Sequence, residues 1–409
     1  MPLFITDLWR WKKSSSSTSF SCLICFNFPI SEQMPSKQLL YELSQTVFEY
    51  MDSNFRFHHS LHLPSIRSIE KGTHLKINEL ALTDARISVN KTRYALTISI
   101  DRQYEISMSV FHDVDEFGFR RNTNGIMMNG DVRMENDSDD EVEAVRRIRL
   151  RHEKLGLMET MKENKRPESR HTLKLTIKPE NGEPRIYKSS KIIKIYEGMK
   201  MLIGVIFGNR SVIWNVESMF ISAGNLRWIA SGVKPLARNL QVMGYDSVNL
   251  DGLRSICHPT SFPLKSLCCA VNLRNLDHEI VVNTEKLHLY SGGYICHIDQ
   301  LMRVSNLKVR MFRIPENRFA RLMSLWLENG RPVGTSWSFE VQGLPFQGEE
   351  PLRYIDILRG NAQVIESDRR SIKLSIGPSS ILFVSYGDPI FHQSINRNQW
   401  SLKMEVLKL

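Results

Sequence analysis

The stretch Ile314-Pro315-Glu316-Asn317-Arg318-Phe319-Ala320-Arg321-Leu322-Met323-Ser324-Leu325-Trp326-Leu327-Glu328-Asn329-Gly330, followed by Thr335-Ser336-Trp337-Ser338-Phe339-Glu340-Val341, sets the plan of the fold. Pro315 suits a first helical turn, and Gly330 suits the left-handed end of a helix. Between them Phe319, Leu322, Met323 and Trp326 recur at helical spacing. Beyond the glycine, Trp337, Phe339 and Val341 alternate with Ser336, Ser338 and Glu340, as in a half-buried strand. A capped amphipathic helix feeding a strand is a building unit, and none of its side chains is a reactive group.

The same grammar extends outward. Leu173 to Ile177 reads as a strand, and Ile195, Met199, Leu202 and Ile206 form a helical stripe ending at Gly208-Asn209. Strand-like pieces follow at 219–221, 264–267, 285–289 and 307–311, with helix expected at 295–304 and 319–327. Their spacing of roughly twenty to twenty-eight residues is that of leucine-rich-repeat turns. The regular asparagine ladder of such repeats is missing. The end of the chain returns to a β-pattern at 372–376, 381–384 and 400–406. Residues 172–409 therefore predict an irregular, leucine-rich-repeat-like strand–helix solenoid.

The first half reads differently. Within residues 34–71, Leu40, Leu43, Val47 and Met51 share a helix face with Phe48 beside them, and Asp52-Ser53-Asn54 supply a turn with capping oxygens. A second short helix carrying Phe55 runs towards Leu63-Pro64, where the proline disfavours helix at Leu63. From 72 to 111 the period becomes two, at Leu75 and Ile77, then Tyr94, Leu96, Ile98 and Ile100, then Ile106, Met108 and Val110. This predicts a small antiparallel sheet. Residues 112–171 break the pattern with an acidic block at 135–143 and a basic block at 146–151, the marks of a charged, partly disordered insertion. Ser138, ahead of Asp139, Asp140 and Glu141, is the type of site acidophilic kinases modify. The fold class expected is α+β.

The totals exclude several functions. With 409 residues, 42% of them hydrophobic, the chain can bury a sizeable core. Its +10 formal charge is spread along the chain, without the basic and aromatic interleaving of a nucleic-acid groove. No apolar run approaches the ~18 residues that span a bilayer. Cysteines 22, 25, 257, 268, 269 and 296 are too irregular for a disulfide framework, which points to a reducing compartment. Residues 1–33 lack a clean signal-peptide pattern and read as a disordered extension or an unused upstream start, with Met34 opening the folded protein.

No chemistry emerges from the motifs. Cys22-x-x-Cys25 is half a zinc site without a second pair at ligand spacing. In Cys257-His258 and Cys296-His297, neighbours on an extended strand face opposite ways, so each pair offers at most one ligand. His58 and His62 share a helix face without the glutamate of a zinc protease, and with His59 read as structural or solvated. Gly198, Gly204 and Gly208 have no phosphate-loop lysine, and no nucleophile elbow or kinase set is present. Neither enzyme nor cofactor chemistry is expected, and no metal site.

Leu39 to Glu70 resembles a degenerate F-box, with Val47-Phe48-Glu49-Tyr50-Met51-Asp52 matching the end of its first long helix. The usual opening Leu-Pro is absent, and Ile66 or Ile69 stands about where a tryptophan is common. Four segments together resemble the nematode-expanded F-box C family. They are residues 63–71 (LPSIRSIEK), 201–209 (MLIGVIFGN), 261–266 (SFPLKS) and 325–334 (LWLENGRPVG). The resemblance covers about residues 34–409 and implies an F-box-like head followed by a C-terminal domain of unknown function. It implies a cytosolic or nuclear protein that holds a Skp-type adaptor and cullin with its head and presents a target protein with its C-terminal domain. Leu40, Leu43, Val47, Phe48, Met51 and Phe55 would then face the adaptor. The alternative is an interaction scaffold that has lost adaptor binding.

Overall fold

The computed structural model describes residues 12–13, 37–101, 108–114, 126–134, 170–189, 193–243, 248–270, 276–290, 298–311, 314–342, 353–387, 390–392 and 397–409. The fold is mixed α/β, and its contacts divide into two units: Met1–Ala237 with Arg254–His258, and Arg238–Leu253 with Pro259–Leu409. Among the described residues no helix is long and apolar enough to cross a membrane.

The first unit opens with three helices: α1 (Lys37–Tyr50), α2 (Ser53–His62) and α3 (Arg67–Gly72). Asp52 caps α2 by accepting from the Asn54 and Phe55 amides, as its sequence position predicts. A sheet follows: β1 (Lys76–Thr83), β2 (Arg86–Val89), β3 (Thr92–Asp101), β4 (Met108–Val110), β5 (Arg170–Lys178), β6 (Arg185–Lys188) and β7 (Trp214–Ser222). Pairing runs antiparallel through β1–β2–β3–β5–β6, with β4 also on β3, and parallel between β1 and β7.

The expected boundary between a sheet at 72–111 and a separate region from 172 does not appear. β5 pairs with β3 from Arg93↔Lys178 to Asp101↔Arg170. The reason lies in β3 itself, where Tyr94 to Ser99 are all buried. β3 is an inner strand, with β2 on one edge and β5 on the other. One cover is α4 (Ile195–Phe207), which buries Met199, Leu202, Ile203, Ile206 and Phe207. A Cβ on Gly198 would lie 2.9 Å from Leu173 and 3.0 Å from Leu96, so glycine permits the close approach of helix to sheet.

Parts of the 112–171 stretch are built into this unit. Asp113 is buried and accepts from the Ile195 amide at 2.6 Å, satisfying the start of α4. Val132 and Arg133 pair antiparallel with Leu226 and Asn225. The buried Asp131 carboxylate receives Lys200 Nζ at 2.8 Å and Arg227 Nη1 at 2.6 Å. Ser138 and the two charged blocks lie outside the described residues, as does the start of the chain except Lys12–Lys13, which pairs with Lys188 and Tyr187 of β6.

The second unit holds the quoted stretch. Strands β8 (Pro235–Val242), β9 (Ser266–Ala270), β10 (Lys286–Tyr290), β11 (Lys308–Met311) and β12 (Ser336–Gln342) lie parallel. Asn239, Ser266, Lys286, Lys308 and Ser336 occupy one register row, so successive strands repeat after 27, 20, 22 and 28 residues. Helices α5 (Leu250–Ile256), α6 (Glu279–Val282), α7 (Ile298–Leu301) and α8 (Glu316–Asn329) stand between them in sequence. Of the helix expected over 295–304, the described residues place one turn at Ile298–Leu301. After α9 (Arg353–Arg359) come β13 (Val364–Ser367), β14 (Ser371–Ser375), β15 (Ser380–Tyr386), β16 (Ile390–His392) and β17 (Arg397–Lys408). Their antiparallel set continues the sheet from β12 through β17, β15 and β14 to β13.

Two positions before β9, β10, β11 and β12 stand Leu264, Thr284 and Asn306, all buried, and Gly334, which is exposed. Asn306 alone acts as an amide rung. Its Nδ2 donates to Val281 O at 2.8 Å and Thr284 O at 2.7 Å. The α8–β12 unit closes as its spacing predicts: Trp326 meets Trp337 edge to face at 5.1 Å, and Gly330 has φ +71°. Arg331 lies against both tryptophans, 5.4 and 5.2 Å from their ring centres, and donates to Val304 O and Met302 O.

Candidate functional site

The six head residues singled out from the sequence divide in the structure. Leu43, Val47 and Phe55 are 50%, 46% and 40% exposed, Met51 is half-buried, and Phe48 is 5% exposed. Leu40 lies on α1, with its side chain outside the described ones. Leu43, Val47 and Tyr50 fall at i, i+4 and i+7 on α1, so the outward stripe is helical and apolar, and Tyr50 is 89% exposed. Tyr41 and Leu63 add to the exposed apolar surface of the head.

Phe48 points the other way because it belongs to the core contact of the head. Arg56 lies 5.8 Å from its ring centre. Phe57, fully buried on α2, meets Phe207 at the end of α4 edge to face at 6.0 Å. Phe207 in turn stacks on Trp214 at 5.0 Å.

Behind this aromatic layer lies a buried ionic cluster that the sequence reading missed. Glu70, on α3, is completely buried. Its Oε1 receives Arg210 Nη2 at 2.6 Å and lies 3.6 Å from Arg56 Nη2, while Oε2 lies 3.5 Å from Lys71 Nζ. Lys71 Nζ donates to Val205 O at 2.7 Å and Ile206 O at 2.6 Å, the unsatisfied carbonyls at the C-terminus of α4. Arg56 ties the loop after α3, donating to His74 O and Thr73 O. Three basic side chains surround one carboxylate, and burial dominates their electrostatics. Burial, with Arg210 adding repulsion, lowers the Lys71 pKa to about 7, and burial lowers that of Arg56 to about 10. Segments 63–71 and 201–209, quoted separately for the family resemblance, thus meet through Lys71 and the end of α4. In Ser68-Ile69-Glu70-Lys71-Gly72 the charges look ordinary, so no local signal marked the cluster.

The other candidates do not converge. Cys257 and Cys269 are buried thiols whose pKa burial pushes up to about 12, and burial pushes that of Cys268 up to about 11. His258 is half-buried beside Cys257. His58 and His59 are half-buried, His59 meeting the Phe55 ring edge at 4.2 Å. Among the described residues no group of three His, Cys, Asp or Glu side chains could hold a metal ion. Cys22, Cys25, Cys296 and His297 lie outside the described residues.

Comparison with known proteins bears on the stretch from the N-cap of α4 to the end of β12. Curated proteins and solved structures give no match. Residues 194–343 match the family described as a domain of unknown function, DUF3557.

Proposed function

We propose that this chain recruits a target protein to a Skp/cullin-type ubiquitin ligase, holding the adaptor with its helical head and the target with its C-terminal unit. The carrying observation is the division of the head's apolar residues. Phe48 and Phe57 anchor it in the core, while Leu43, Val47, Tyr50 and Phe55 are exposed by 40 to 89%. A helix presenting anchors at i, i+4 and i+7 is suited to a groove on a partner. The parallel register of β8–β12, with its 20- to 28-residue repeat, supports a leucine-rich-repeat-like platform for the target. Ubiquitin transfer belongs to other subunits, and the setting is cytoplasmic or nuclear.

A second reading, a scaffold that no longer binds the adaptor, draws on the missing Leu-Pro and on Ile66 and Ile69 at the expected tryptophan position, both half-buried. Titration of purified nematode Skp-type adaptor, alone and with cullin, onto the full chain separates the two. Binding that a folded Leu43→Asp/Val47→Asp variant loses supports recruitment. No binding by the parent leaves the scaffold reading.

A further inference from the structure

The parallel sheet of the second unit carries an arrangement that folding alone does not favour. β10 and β11 pair Lys286 with Lys308 and His288 with Arg310, so four adjacent outward positions form a block of basic residues. Lys286, Lys308 and Arg310 are exposed and His288 is half-buried. Like charges placed opposite each other on neighbouring strands are destabilising. The block is also set apart by size. The same rows carry Ser266 and Cys268 on β9 and Ser336 and Ser338 on β12. Three long side chains and a histidine are therefore flanked on both neighbouring strands by short ones.

The block is only partly neutralised from within. Arg310 pairs with Glu340 at 2.6 Å, and Lys308 reaches Glu285 at 3.8 Å with both side chains 56% exposed. Lys286 makes no ion pair among the described residues. Further along the row, Glu405 is paired with Lys403 at 2.7 Å and does not reach back to the block.

We infer that Lys286, His288, Lys308 and Arg310 dock an acidic segment of the recruited protein in extended conformation. Alternate side chains of an extended peptide lie about 7 Å apart, the same step that separates Lys286 from His288 and Lys308 from Arg310 along their strands. A Glu-x-Glu or Asp-x-Asp stretch lying along β10 and β11 would match both rows. Glutamates 285 and 340 at the rim shorten the basic surface to a few positions, which suits a peptide better than the long phosphate track of a nucleic acid.

The inference rests on the C-terminal unit presenting the target, but its test involves no adaptor, so either idea can fail alone. The probe is a short fluorescein-labelled peptide of alternating glutamate and serine, titrated against the full chain and read by fluorescence anisotropy. A Lys286→Ser/Lys308→Ser variant should weaken binding by about fivefold or more. A charge-matched Lys76→Ser/Lys178→Ser control, changed on exposed positions of the first unit, should bind like the parent. Because the first variant removes a repulsive pair, its thermal midpoint should not fall, which separates lost docking from lost folding. Equal weakening in variant and control, or no binding by the parent, overturns the inference. So does tighter binding of a single-stranded DNA of equal charge.

Discussion

Arg210 Nη2 meets Glu70 Oε1 at 2.6 Å, with both side chains excluded from solvent and the two residues 140 positions apart in the chain. This contact joins the last turn of the helical head to the loop after α4, and so gives the exposed apolar stripe of α1 a fixed base. It also concentrates risk, because Glu70 is the carboxylate in ion-pair contact with all of Arg56, Lys71 and Arg210. Removing one partner of a buried ion pair strands the others, at a cost of about 3–5 kcal/mol. Glu70→Gln should therefore lower the apparent unfolding free energy of the first unit by that order in urea titration. A loss within about 0.5 kcal/mol, normal for a surface substitution, would show that the cluster does not hold the head.

The same cluster predicts a pH dependence. Burial holds the Lys71 pKa at about 7 against an ordinary value of 10.5, so the folded state releases its proton before the unfolded state does. Below about pH 7 both states are protonated and the burial penalty is at its largest. Between about 7 and 10.5 the unfolded chain binds the extra proton, and stability rises with pH by up to ~1.4 kcal/mol per unit. A neutral amine still has two N–H groups, enough for the Val205 and Ile206 carbonyls. The stability difference between parent and Lys71→Met, measured from pH 6 to 10, should be flat at first and then move in the parent's favour. A difference that stays flat throughout would contradict the buried, deprotonated lysine.

What was legible in the sequence was periodicity backed by punctuation. Pro315 and Gly330 framed α8, Asp52 framed α2, and the alternation around Trp337 gave β12, because each signal is local. The partition of α1 was not legible: Leu43, Val47 and Phe48 are all apolar, and only tertiary packing decides that Phe48 turns inward. The β3–β5 pairing was hidden by the long separation between Asp101 and Arg170, since no local pattern encodes which distant strand completes an edge. The ionic cluster was missed for the same reason. Its members are ordinary charges in sequence and become exceptional only when Arg210 is brought to Glu70. Asn306 looked like an isolated polar residue, since its neighbours in the row are Leu264, Thr284 and Gly334.

The division of α1 makes adjacent substitutions behave oppositely. Phe48→Ala deletes a ring that is 5% exposed and should cost about 3–5 kcal/mol, while Val47→Asp, at a half-exposed position, should cost little. If the head holds an adaptor as proposed, binding should show the reverse order, with Val47→Asp abolishing it in a folded protein. Thermal melts beside binding titrations on both variants check this. Equal destabilisation by the two would mean that the α1 stripe packs inward in solution and is no docking face.

Asn306 offers the sharpest test of the parallel unit, because its side chain acts through donors alone. Nδ2 satisfies Val281 O and Thr284 O, and reaches Val282 O at 3.3 Å, while the backbone oxygen of the same residue accepts from Trp337 Nε1 at 3.3 Å. Asn306→Ala leaves buried carbonyls without a donor and should cost about 1–3 kcal/mol. Asn306→Asp should cost more, although it is nearly isosteric, because a carboxylate turned towards two or three carbonyl oxygens has acceptors only and is itself desolvated. Its penalty should shrink as the pH falls through the carboxyl's raised range, where protonation restores one donor. Equal stability of the alanine and aspartate variants at neutral pH would mean that the amide serves as packing volume and not as the rung joining neighbouring repeats.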